Sequence, residues 1–67
     1  MEMNPRVWLT REQVAERLGI PPKTLAEWAS KGIGPRYARF GRHVRYLLRD
    51  VLEWEMGRRV GPSGQNA

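Results

Sequence analysis

The chain has 67 residues, 40% of them apolar and 28% charged, and no cysteine. That length allows one domain with a modest core, burying only ~60% of its unfolded surface, and the absence of thiols excludes a disulfide framework and a cysteine-based zinc site. Twelve Lys and Arg against seven Asp and Glu give a formal charge of +5, which points towards a polyanionic partner.

Residues 1–7 read as an N-terminal arm. The first ten residues lack the apolar stretch of a signal peptide, and no run approaches the ~20 apolar residues of a membrane span, so a cytoplasmic protein without membrane contact is expected. Thr10 followed by Gln13 is a capping box that starts a helix near Arg11, with Val14, Ala15 and Leu18 at helical spacing and Trp8 and Leu9 anchoring its approach. Gly19 supplies the left-handed residue that ends it. Proline suits a first helical position, so a second helix starts at Pro22, buries Leu25 and Trp28, and stops before Gly32, Gly34 and Pro35.

Tyr37 to Tyr46 then reads as a β-hairpin around Gly41. A three-residue loop, Gly41 to His43, would pair Phe40 with Val44 and Ala38 with Tyr46, putting these four on one face and Arg39 and Arg45 on the other. A two-residue Gly41-Arg42 turn separates apolar from charged residues less cleanly, so the longer loop is expected. A third helix runs from Arg49 or Asp50 to Arg59 with Val51 and Trp54 inward. Residues 8–59 thus form the domain, and residues 60–67 form a disordered tail. The helical spacing and apolar neighbours of Trp8, Trp28 and Trp54 assign them to the core in preference to base stacking.

Residues 28–49 contain no acid, yet they hold Lys31, Arg36, Arg39, Arg42, Arg45, Arg49 and the sole histidine, His43. A charge run usually marks only a solvated face. Here it alternates with apolar residues that demand an ordered scaffold, and it reads as a nucleic-acid footprint.

The stretch REQVAERLGIPPKTLAEWAS, residues 11–30, resembles the helix-turn-helix pattern of bacterial and phage DNA-binding proteins, with Ala15, Gly19 and Leu25 at its alanine, glycine and aliphatic positions. Alanine lets the helices cross closely, glycine permits the turn, and the apolar set forms the shared seam. Pro21 departs from the serine-like cap usual in the family. The continuation GPRYARFGRHVRYLLRDVLEW is similar to the wing and third helix of the excisionase and MerR-like winged-helix group.

The resemblance implies a winged helix-turn-helix, mainly α with a small β-hairpin. MerR-type regulators carry this module before a dimerising helix and an effector domain, for which 67 residues leave no room. The chain is therefore more similar to phage excisionases, or recombination directionality factors, than to them. The excisionase role implies a protein that is monomeric in solution, binds double-stranded DNA beside copies of itself, bends the attachment site and assists a phage integrase. A small AlpA-like or MerR-like transcriptional regulator is the alternative, and an adaptor whose basic wing binds an acidic protein is a third reading.

In that frame the start of the second helix enters the major groove, presenting Pro22, Lys23, Ala26 and Glu27 to base edges. Glu27 could accept from a cytosine amino group or pair with Lys31, and Ala26 or Pro22 could touch a thymine methyl. Thr24 is suited to a phosphate or a local backbone group, and Lys31 to the helix C-terminus or the DNA backbone. Arg42 at the wing tip is the foremost DNA-contact candidate, with Arg39, Arg45 and Arg36 following the backbone. His43 has no cysteine or second histidine with which to hold a metal, and reads as a loop residue near phosphate. No cofactor is implied. The chain offers no nucleophile with an acid–base partner and no GxxxxGK phosphate loop, so it does not read as an enzyme.

Overall fold

The computed structural model describes residues 4–60. In chain order these form β1 (Trp8–Thr10), α1 (Arg11–Leu18), α2 (Pro22–Lys31), β2 (Ala38–Phe40), β3 (His43–Leu47) and α3 (Leu48–Gly57). Residues 1–3 of the expected arm, and residues 61–67 of the expected tail, lie outside the described residues.

Local chemistry accounts for the helix boundaries. The Thr10 hydroxyl accepts from the Gln13 amide at 3.0 Å, and the Gln13 side chain accepts from the Thr10 amide at 2.8 Å, which closes the capping box at the start of α1. At its end Gly19 adopts φ 72°, and the Ile20 amide donates back to the Ala15 carbonyl at 3.0 Å. Three residues on, α2 begins at Pro22 with Pro21 as a cap that offers no side-chain hydrogen bond. Its end repeats the same device, with Gly32 at φ 74° and the Ile33 amide bonded to the Trp28 carbonyl at 2.9 Å. The third helix starts one residue earlier than the sequence suggests, directly after β3, and its last helical residue is Gly57.

Three strands form one antiparallel sheet in the order β1-β3-β2. The wing register differs from expectation: Ala38 pairs with Arg45, Arg39 with Val44 and Phe40 with His43, across a two-residue Gly41-Arg42 turn. Gly41 takes φ 65°, which the first position of such a tight hairpin turn requires. Because directly paired residues share a face, the expected grouping fails: Arg39 lies on the face of Val44 and Tyr46, while Arg45 lies with Ala38 and Phe40. The cost is small because Arg39 sits near the wing tip, where it remains exposed.

β1, which the sequence reading did not assign, pairs Trp8 with Leu47, Leu9 with Tyr46 and Thr10 with Arg45. This puts Leu9 on the core face and Trp8 on the outer one. Trp8 is consequently not a core residue: it is 47% exposed and meets Phe40 edge-on at 5.2 Å. Trp28 and Trp54 do pack together, with ring centroids 5.6 Å apart.

The core consists of Val14 and Ala15 from α1, Leu25 from α2, Tyr46 from β3 and Val51 from α3. Arg17 on α1 grips Glu55 on α3 through two hydrogen bonds of 2.6 and 3.0 Å, and this carboxylate contact raises the guanidinium pKa. With both side chains a little over a quarter exposed, such a pair contributes on the order of 1 kcal/mol or less.

The turn after α2 is the tightest point of the backbone. Gly34 has φ 87°, and a Cβ there would lie 3.1 Å from both Cβ and Cε3 of Trp28. Gly34→Ala should therefore destabilise the domain by about 1–3 kcal/mol, since strain and crowding act together. Gly57→Ala, which meets nothing and needs no positive φ, should leave stability unchanged or raise it by up to ~1 kcal/mol. Thermal melts of the two variants test this, and equal midpoints would contradict the assignment.

Candidate nucleic-acid interface

The helix-turn-helix fixes which side of α2 is free. Leu25 is buried and Trp28 and Ala29 half-buried against the rest of the domain, so the opposite side carries Lys23, Glu27 and Ser30, all exposed. Helical geometry makes positions i, i+4 and i+7 one stripe. Pro22 and Lys31 are also exposed, at the two ends of the helix, and Ala26 and Thr24 are half-buried along its flanks. Ser30 was missed by sequence reasoning. Its signal was available in the spacing from Lys23 and Glu27, and it adds a short hydroxyl donor to a surface otherwise poor in donors.

The wing presents Arg39, Arg42 and His43 as exposed side chains and Arg45 as a half-buried one. β3 outruns β1 here: past the pair Thr10–Arg45, Val44 and His43 project beyond the shorter strand. This projecting end faces the first turn of α1, and Arg11, Glu12, Arg42, His43, Val44 and Arg45 line a shallow concavity of about 210 Å³. Two of these side chains are held. Arg11 Nε donates to the Tyr46 hydroxyl at 3.3 Å, and Arg45 Nη1 donates to the Val44 carbonyl at 2.8 Å. The Tyr46 ring is buried, so its hydroxyl is a fixed point.

Arg36 stands apart from this group. With Gly34, Trp54, Asp50 and Glu53 it lines a separate depression of about 270 Å³, where two carboxylates offset its charge. The structure thus gathers Arg42, His43 and Arg45 with Arg11, leaves Lys23 and Glu27 on the free side of α2, and separates Arg36 from both. Among the described residues no group of three or more His, Asp or Glu side chains is arranged to hold a metal ion, and no helix is long and apolar enough to cross a membrane.

Residues 8–59 match the family described as a helix-turn-helix domain, and the chain belongs to that family. No curated protein matches the chain. The fold, family and charge distribution together define a small winged helix-turn-helix DNA-binding protein.

Wing-tip exposure yields a separable test of binding and folding. Arg42→Ala should weaken DNA binding by about 1.5–3 kcal/mol through loss of a charge-assisted contact and change stability by less than ~0.5 kcal/mol, because the side chain lies on an exposed turn. Titration and thermal melting of one sample measure both, and unaltered affinity would show that the tip points away from DNA.

Proposed function

We propose that the protein is an architectural DNA-binding factor of the phage excisionase kind, which binds in adjacent copies, bends attachment-site DNA and assists an integrase in excision while disfavouring integration. The observation that carries this reading is the contrast between its two DNA-facing surfaces. The exposed stripe of α2 offers Lys23, Glu27 and Ser30, with no arginine for a bidentate grip on guanine, whereas the wing side collects several cations. Such a module holds phosphates well and discriminates sequences weakly, and adjacent copies convert weak contacts into occupancy.

Lys23, Ala26, Glu27 and Pro22 take the major groove in this reading, Thr24 a phosphate at the start of α2, Arg42 the adjacent minor groove, and Arg39, His43 and Arg45 the backbone beside it, with Lys31 and Arg36 at the periphery. Holding both grooves at once is what bends the duplex, a deformation of about 1–6 kcal/mol that the added phosphate contacts offset. Apolar surface for a neighbouring copy is present on the outer sheet face, where Trp8 and Phe40 are each about half exposed. The free protein is a monomer in this reading, because no helix among the described residues exceeds ten residues or forms a long dimerising seam.

Neutralising five or six phosphates predicts that log K falls against log salt with a slope of about −4.5 to −5.5. Gel shifts on duplexes bearing one and several sites, with circularly permuted fragments to read curvature, should show cooperative binding and a bend. A stable dimer in free solution, or independent binding to straight DNA, would favour an AlpA-like operator-binding regulator. A flat salt response would favour a protein–protein adaptor.

A further inference from the structure

Three arginines, a histidine and one acid meet where the wing passes the first turn of α1, and the α1 contribution was not among the residues singled out from the sequence. We propose that this concavity is a seat for a single backbone phosphate of duplex DNA, with Arg11 as its fixed donor and Glu12 as a built-in opposing charge that weakens it. The inference rests on the DNA-binding reading above and adds a named contact to it.

The geometry points to an anion of phosphate size. The depression, about 210 Å³, opens at the protein surface and is lined by Arg11, Arg42, His43 and Arg45, drawn from two elements 31 residues or more apart in sequence. Like charges brought together without an intervening counter-ion repel, and Glu12 is the one acid on the rim. An arriving phosphate relieves that repulsion.

Arg11 is also ordered before any ligand arrives. Its Nε is engaged by the Tyr46 hydroxyl, whose ring is anchored in the core, while both terminal nitrogens of the guanidinium make no hydrogen bond within the described residues. A planar fork held at its Nε and free at its ends binds phosphate with less loss of side-chain entropy than a free surface arginine. Tyr46 is thus a positioning residue, and the β1–β3 register that places its hydroxyl beside α1 is part of the binding site. Glu12 neighbours Arg11 in the same helical turn and carries no hydrogen bond or salt bridge among the described residues. Its carboxylate keeps the seat from holding DNA as tightly as the cations alone would.

The test is a salt titration of duplex binding by the wild type and four variants. Arg11→Gln should bind about tenfold more weakly at one salt concentration and reduce the magnitude of the log K against log salt slope by about one. Glu12→Gln should bind several-fold more tightly on any sequence. Arg59→Gln, which removes the same formal charge two residues past the end of α3, serves as the control and should leave the slope unchanged. Tyr46→Phe keeps the ring but frees Arg11, and should weaken binding about two- to threefold. A methylphosphonate scan of the duplex then locates the contact: one neutralised phosphate should impair the wild type and have no effect on Arg11→Gln. If Arg11→Gln behaves like Arg59→Gln while the wild type still binds with a steep slope, the seat is wrong and the DNA-binding reading stands. If the wild type itself binds no duplex, the failure lies in the functional reading.

Discussion

The whole domain is organised around β3, and within it around Tyr46. The strand is flanked by β1 and β2, carries the buried ring into the core, and passes without a loop into α3. A helix that starts directly from a strand has no linker residues with which to cap its first amides. The N-terminal residues supply the answer: the Leu48 amide donates to the Val7 carbonyl at 2.9 Å and the Arg49 amide to the Pro5 carbonyl at 2.8 Å. The Asn4–Val7 turn, closed by a 3.1 Å backbone bond, is therefore a helix cap supplied from more than forty residues away in sequence. The Asn4–Val7 turn, β1, β3 and α3 form one hydrogen-bonded unit, and α1 and α2 pack on it.

That arrangement explains how a domain this small stays ordered with no disulfide. Its fully buried residues are few, so each element is tied by more than apolar contact. α1 is held by its capping box, by Arg17 on Glu55 and by Arg11 on Tyr46; α2 is closed by Gly32 and by Trp28 against Trp54. The Trp54 ring also lies under the Arg58 guanidinium at 5.2 Å, and its buried Nε1 makes no hydrogen bond among the described residues.

What could be read from the sequence follows from the range of each interaction. α1, α2 and the glycines that end them were legible because caps, proline geometry and positive φ are set within four residues of one another. The helix-turn-helix followed from them. β1 was not legible, since three residues generate no periodicity and its identity depends on partners 35 or more positions away. The hairpin was legible but its register was not. Sorting arginines from apolar residues favoured a three-residue loop, yet the rule applies only where a face is buried. Near the tip neither face is covered, so turn chemistry at Gly41 prevailed and Arg39 joined the face of Val44 at little cost. The same shift placed Phe40 on the outer face with Trp8, reversing their expected burial. At the interface, the wing cations were visible as a run without acids, whereas Arg11 became a candidate only once β3 carried Tyr46 and the wing alongside α1.

The placement of the acids completes the electrostatic design. Glu55 is committed to Arg17, Glu53 stands 3.7 Å from Arg49 on α3, and Asp50 and Glu53 line the depression that holds Arg36. These three carboxylates all belong to α3 and serve cations of α1, α3 and the segment before β2. Arg58 and Arg59, just past the end of α3, form no salt bridge among the described residues, and neither do the wing arginines or Lys23 and Lys31 of α2. A net charge of +5 spread evenly would make a protein that adheres to any polyanion in any orientation. The acid-free run of residues 28–49 instead concentrates cations on the wing and the end of α2, and such a concentration gives an approaching polyanion a preferred side. Glu12, Glu16 and Glu27 are exposed acids outside α3 with no salt bridge among the described residues. In the proposed DNA complex Glu12 and Glu27 oppose phosphate, and only Glu27, on the free side of α2, would recover that cost by accepting from a cytosine amino group in the major groove.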